Sequence, residues 1–198
     1  MRQDLQIIAD LVRPGARVLD LGCGDGELLH YLQLDKQVNG YGLEIDPSMI
    51  TRCIQRGVNV IEQDLDQGLG NFADNSFDLV VMAETLQAVR QPDALLDEML
   101  RVGEQCIVTF PNFGHWRCRT YLATRGAMPI AKHLPHRWYD TPNIHLCTFA
   151  DFERLCRAKE LEIIERFVSD TSYRPGPLIN LLPNLFGTIA YYRLGRGQ

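Results

Sequence analysis

Apolar positions along the chain follow two periods in turn. Leu5, Ile8, Leu11 and Val12 recur at helical spacing, and Pro14-Gly15 then makes a turn. "ARVLDLG" reads as a buried strand that stops at its glycine, and "GELLHYLQL" places Leu28, Leu29 and Leu32 on one helical face. "VNGYGLEI" is a second strand. Asp46 is suited to cap a helix with Pro47 at its first position, and Gly57 is suited to end it. "VNVIE" and "SFDLVVMAE" supply a third and a fourth strand. Gln91-Pro92 opens the helix "PDALLDEMLRV", closed by Gly103, and "QCIVTF" is a fifth strand.

Strands alternating with helices imply a mostly parallel sheet with helices on both faces. From Pro111 to Cys147 that rhythm is lost, and histidines and tryptophans crowd among prolines. Thr148 then caps a restored helix in "TFADFERLCRAKE". "LEIIERFVSD" and "GTIAYYRL" alternate as strands do, and a proline-rich connection joins them, which predicts an antiparallel pair at one sheet edge. No repeat, linker or second hydrophobic pattern interrupts the order. The expectation is one domain over residues 1–198 with an insert at about 111–147.

Composition narrows the functional classes. The chain has 198 residues, 45% hydrophobic and 23% charged, enough for a real core. A net charge of −5 supplies no sequence-wide positive field for nucleic acid or an anionic membrane. No apolar run reaches the roughly 20 residues of a membrane-spanning helix, and the N-terminus lacks the apolar region and small-residue cleavage site of a signal peptide. A cytoplasmic protein is expected. Its six cysteines contain no C-x-x-C pair and are expected to stay reduced, packed as small apolar groups.

The sharpest chemical signal is "VLDLGCGDGELL" at a strand-to-helix turn. Gly22, Gly24 and Gly26 alternate there, so backbone can approach a ligand closely. Some twenty residues on, Glu44 ends the second strand, where an acid usually binds a ribose. The spacing is not G-x-G-x-x-G, because position 27 is Glu. Asp20, Asp25 and Glu27 crowd a helix start that a dinucleotide fold would keep for pyrophosphate. Such carboxylates repel phosphates and suit a ligand with ammonium and sulfonium groups. S-adenosylmethionine is one; a nicotinamide dinucleotide is not.

The order D-x-G-x-G-x-G, Glu44, "QDLD" and "SFDLVV" resembles the class I S-adenosylmethionine-dependent methyltransferases. That resemblance implies a Rossmann-like, seven-stranded, mostly parallel sheet with an antiparallel edge strand. It also implies S-adenosylmethionine or S-adenosylhomocysteine as the ligand. The glycine loop, with Asp20, Gly22, Cys23, Gly24 and Gly26, would then hold its methionine part, Glu44 would bind its ribose and Asp64 with Leu65 its adenine, and Ile45 and Ala83 would also contact the cofactor. After strand four, many small-molecule methyltransferases of this fold carry a pattern like E-V-L-E-H-V, and this chain reads "ETLQAV". Gln87-Ala88 thus replaces an acid-histidine pair, and neither residue accepts a proton at neutral pH. Glu84, His115 and Tyr139 remain as candidate bases.

The insert admits several readings. His115, His133, His136 and His145 invite a metal, but the proline in "HLPH" defeats one-face helical spacing and nothing completes a zinc pattern. Cys118 or Cys147 could pair with a histidine as a nucleophile. Arginines among Trp116, Tyr121 and Trp138 could stack on single-stranded bases, against the acidic charge of the whole chain. Trp, Tyr and Arg are also the usual hot spots of protein interfaces. An insert that only caps the sheet is the plainest alternative.

"FPNFGHWRCR", "MPIAKHLPHRWYDTPNIHLCT", "DFERLC" and "TLQAV" together closely resemble the MetW methionine-biosynthesis family. The resemblance implies work beside a MetX-type homoserine O-acyltransferase, supporting or activating homoserine acylation (acetylation or succinylation). On that basis Phe113, His115, Trp116, Arg117 and Trp138 are the expected partner-facing residues. A small-molecule methyltransferase is the alternative, with the insert as substrate lid.

Overall fold

The structure is a computed structural model that describes residues 3–169, 179 and 181–197. Helix α1 (Gln3–Leu11) precedes β1 (Arg17–Leu21), α2 (Glu27–Lys36), β2 (Asn39–Glu44), α3 (Pro47–Gln55) and β3 (Asn59–Glu62). Then come β4 (Phe77–Ala83), α4 (Pro92–Val102), β5 (Gly103–Pro111), α5 (Trp116–Arg125), α6 (Phe149–Ala158), β6 (Leu161–Ser169) and β7 (Ile189–Arg196). Two short 3-10 turns, Leu65–Gln67 and Leu86–Ala88, follow β3 and β4.

The seven strands form one sheet in the order β3-β2-β1-β4-β5-β7-β6. All neighbours are parallel except at β7, which runs antiparallel to both β5 and β6. The pair β6–β7 lies at one edge, as the alternating runs predict, with β6 outermost. The proline-rich connection between them falls largely outside the described residues.

Strand alternation sends successive side chains to opposite faces. In β1, Leu19 and Leu21 join a core with Val80 and Met82 of β4, Leu96 and Met99 of α4, and Phe149 and Phe152 of α6. Val18, Leu79 and Val81 point the other way, onto Ile8 of α1 and Leu28, Leu29 and Leu32 of α2. Phe110 of β5 lies 4.9 Å from Phe152 and 6.0 Å from Tyr192 of β7, ring centre to ring centre. Such aromatic pairs add about 0.5–1.5 kcal/mol beyond area burial. Tyr192 also donates its hydroxyl to Glu153 Oε1 at 2.9 Å, fixing α6 on the sheet.

The helix signals hold where the sequence places them. The Asp46 side chain accepts from the Ser48 amide, and Thr148 Oγ1 accepts from the Asp151 amide. Gly57 follows α3 with φ 73°, a left-handed value that stops the helix. All six thiols are free, and Cys53, Cys106, Cys118 and Cys156 are buried.

Two differences fall in the insert. Strand β5 runs through Pro111, which pairs with Ile189 beyond the end of β4. Proline is tolerated there because its missing amide lies outside the central ladder. Helix α5 was not legible as one, because only Cys118 of its ten residues is buried and no apolar stripe marks it. Asn112 fastens the segment to the sheet end. Its Nδ2 donates to the Gly187 carbonyl at 2.8 Å, and its Oδ1 accepts from the Gly114 amide at 2.8 Å.

Candidate functional site

Strand β1 ends at Leu21, and Gly22, Gly24 and Gly26 all take left-handed torsions, with φ of 70°, 56° and 76°. At Gly22 an added Cβ would stand 2.7 Å from Thr85 Oγ1, so the loop and the turn after β4 touch because no side chain intervenes. At Gly24 it would meet nothing within 4 Å, so that backbone faces open space.

Glu44 organises this loop from the end of β2. One carboxylate oxygen accepts from the Gly24 amide at 2.8 Å, and the other from Ile45 at 2.8 Å and Asp46 at 3.0 Å. Charge-assisted bonds of this kind are about twice as strong as neutral ones. The acid therefore shapes the loop as well as facing whatever lies above it.

Two cavities flank the Gly22–Glu44 junction. The first, about 290 Å³, is bordered by Asp20, Gly22, Cys23, Gly24, Glu27 and Ala83. The second, about 280 Å³, is bordered by Gly22, Glu44, Ile45, Asp64, Leu65 and Thr85. Nine of the ten residues expected to hold a ligand thus line one cavity or the other. Gly26 is the exception. It caps α2, and an added Cβ there would press on Cys53 Sγ at 3.0 Å, so its role is packing. Sequence reasoning missed Met49 and Arg52 in the first cavity and Thr85, Ala88 and Val89 in the second. Their only signal is position at the carboxyl ends of parallel strands, where ligands of open α/β sheets bind.

The electrostatics are subtler than three bare carboxylates. Asp20 is 3% exposed. Burial, then the charge of Glu44, pushes its carboxyl up to about 7. Asp25 is held by Arg56 at 2.9 Å, and Arg52 borders the same cavity. The cavity therefore carries both signs of charge, which suits a zwitterionic end of a ligand better than a uniformly acidic rim would. The Cys23 thiol, half-buried and 3.8 Å from Cys53 Sγ, is pushed far up by burial and stays neutral.

None of the candidate bases lines either cavity. Glu84 follows β4 with φ 53°, its amide bonded to Thr109 Oγ1 at 2.9 Å. His115 is buried and caps α5, its Nδ1 accepting from the Arg117 amide at 3.2 Å. Burial foremost, with His133 and Arg117 nearby, lowers it to about 4. Tyr139 is 61% exposed and accepts from Arg137 Nη1 at 2.6 Å. Gln87, at the position of the missing acid, turns inward and donates Nε2 to the Glu84 carbonyl at 2.6 Å.

Of the expected partner-facing residues, Trp116, Arg117 and Trp138 are exposed, and Phe113 is half-buried in a groove with Trp138. His115 is not at the surface, because the helix cap consumes it. The nucleophile reading of Cys118 fares no better: its Sγ lies 3.7 Å from His133 Nε2, but the thiol is buried and raised by that burial. Among the described residues, no group of three His, Cys, Asp or Glu side chains is arranged to hold a metal, and no helix is long and apolar enough to cross a membrane.

The strand order, the glycine turn and the acid at the end of β2 define a class I S-adenosylmethionine-dependent methyltransferase fold. The solved S-adenosylmethionine dependent methyltransferase from Mesorhizobium loti matches 98% of this chain and 98% of its own, with a TM-score of 0.72 at 17% identity. The [4+2]-cyclase SpnF matches 98% of this chain and 80% of its own, with a TM-score of 0.69 at 17% identity. At such identities the likeness establishes the fold alone. The family model "Methionine biosynthesis protein MetW" matches residues 2–194. The chain belongs to the MetW family. It is 37% identical over 161 residues, 77% of its length, to the "Bifunctional methionine biosynthesis protein MetXA/MetW" of Rhodopirellula baltica. It spans about a quarter (26%) of that longer relative.

Proposed function

We propose that this chain binds S-adenosylmethionine across the Gly22–Glu44 junction and acts as an accessory protein of a MetX-type homoserine O-acyltransferase, supporting or activating homoserine acylation. The observation that carries the ligand is the pair of cavities meeting at Gly22, with Glu44 at their junction. An elongated nucleoside ligand fits that geometry. Asp20 and Arg52 would take the charged amino-acid end, Glu44 the ribose hydroxyls, and Asp64 with the Leu65 backbone the adenine. A diphosphate would meet Glu27 at the start of α2. When bound, S-adenosylmethionine supplies an activated methyl group; the protein residues bind, orient and shield it.

The partner reading is supported by family membership and by the relative whose name joins MetXA and MetW in one chain. The exposed surface of Trp116, Arg117 and Trp138 is where we place the contact. The test has two arms. Calorimetry should show S-adenosylmethionine binding and no NADH binding. Purified acyltransferase should turn over faster with this chain than without it, and no change at saturation would refute the accessory role.

Small-molecule methyl transfer is the second reading, favoured by the fold. It requires S-adenosylhomocysteine to accumulate when a metabolite pool is supplied. With Gln87 turned inward and no candidate base lining the cavities, an acceptor that needs deprotonation would find no base at hand.

A further inference from the structure

Residues 112–147 carry five cations, Arg117, Arg119, Arg125, Lys132 and Arg137, against one anion, Asp140. The whole chain has a net charge of −5, so this basic stretch runs against the sign of the rest. Elsewhere several cations are matched by carboxylates: Arg17 meets Asp78, Arg56 meets Asp25, Arg101 meets Glu98, and Lys159 meets Asp97. Among the described residues, no carboxylate lies within ion-pair distance of the guanidinium groups of Arg117, Arg119, Arg125 or Arg137. Arg117 instead lies over the Trp116 ring at 5.4 Å, and Arg137 over Tyr139 at 5.9 Å.

Apolar surface lies beside Arg137. Trp138 is 75% exposed, and Ile130 and Tyr139 are also open. Beside them runs a groove walled by Phe113, Met128, Leu134, Trp138 and Leu146, with Arg137 at its rim. Clustered apolar surface rimmed by unmatched charge marks an interaction site.

We propose that this groove receives an apolar side chain of the partner acyltransferase that is flanked by carboxylates, with Trp138 as the anchor and Arg137 pairing an acid. This rests on the accessory reading above and adds to it the chemistry of the contact. The unmatched cations select an acidic rim on the partner, and the groove selects an apolar residue at its centre. The acidic remainder of the chain repels a polyanion, so a nucleic acid is a poor occupant.

The test uses the full chain and purified acyltransferase. Affinity is measured at low and high salt for wild type, Trp138→Ala, Arg137→Glu and, as a control on the exposed face of α2, Leu34→Ser. Ligand calorimetry and thermal melting confirm that each variant is folded. Trp138→Ala should bind about 30-fold more weakly. Arg137→Glu should weaken binding and flatten its salt dependence, and Leu34→Ser should match wild type. Equal binding by all variants would overturn the groove while leaving the accessory role intact. Failure of wild type to bind would take down both. Trp138-dependent self-association, or binding to a single-stranded oligonucleotide in place of the acyltransferase, would also overturn the groove proposal.

Discussion

The backbone carbonyl of Gln87 accepts from the Ile144 amide at 2.9 Å, and the same oxygen accepts from His145 at 3.0 Å. The turn that carries Gln87 also borders the second cavity through Thr85, Ala88 and Val89. One short element therefore touches both the candidate ligand site and the far end of the aromatic-basic segment. A ligand that steadies this turn should steady residues 144–145 with it. Hydrogen exchange at those two amides is expected to slow about fivefold or more with saturating S-adenosylhomocysteine, the equivalent of about 1 kcal/mol. Ile144→Pro, which lacks the donor, should remove most of that response. Identical exchange with and without ligand would show that the two regions are independent.

Glu44 makes a second prediction. Its two carboxylate oxygens serve three backbone amides, and an amide side chain cannot accept on both sides. In Glu44→Gln the new NH2 group faces either Gly24 or the Ile45–Asp46 pair, donor against donor. The variant should lose about 2 kcal/mol of ligand binding, roughly 30-fold in affinity. Calorimetry reads the affinity. A fall in melting temperature of the free protein would report the loop itself.

The alternation of strand and helix was legible because each element buries a face at its own period, 3.6 or 2. Gly22, Gly24 and Glu44 were legible because a tight strand-to-helix turn with left-handed torsions needs glycine, and an acid at the next strand end stands out by its residue type. What was not legible depends on partners far away in the chain. Asn112 looks like a loop residue until its bonds to Gly187 and Gly114 are known. His115 carries the side chain of a catalytic base, yet its position makes it a helix cap. Thr85, in the turn after β4, and Arg52, on α3, border the cavities only because two crossovers bring them to the same end of the sheet. Asp25 reads as free negative charge until Arg56, thirty-one residues on, neutralises it.

Asp20 links stability to pH. Its folded value, about 7, stands above the ordinary carboxylate value of 3.8. The folded chain thus keeps a proton that the unfolded chain has released, and stability falls as pH rises from near 4 to near 7, then levels off. The shift amounts to about 4 kcal/mol. Asp20→Asn mimics the neutral form and should raise the urea midpoint at about pH 8 while changing it little at about pH 4. If the ligand's ammonium group rests against Asp20, the same variant should bind it more weakly. Wild-type affinity should also rise as pH passes through 7, where the proton leaves. A urea midpoint equal to wild type at both pH values would show that Asp20 is not the titrating group.

His115 gives the opposite slope. Burial holds it near 4, below the ordinary 6.5, and His133, also lowered by burial, meets it edge to face with ring centres 5.6 Å apart. Between those values the unfolded chain binds a proton that the folded chain refuses, so stability is lost as pH falls from 6.5 toward 4. Protonation would also turn Nδ1 from acceptor to donor, removing the cap on the Arg117 amide and loosening the start of α5. His115→Asn keeps a good capping side chain without the titration. Acidification through about pH 4, where the folded chain takes up this proton, should shift the tryptophan fluorescence of wild type, since Trp116 opens α5, and should shift the variant less, with His133 accounting for the remainder. If wild type and His115→Asn trace the same curve, the cap is not what acid disturbs.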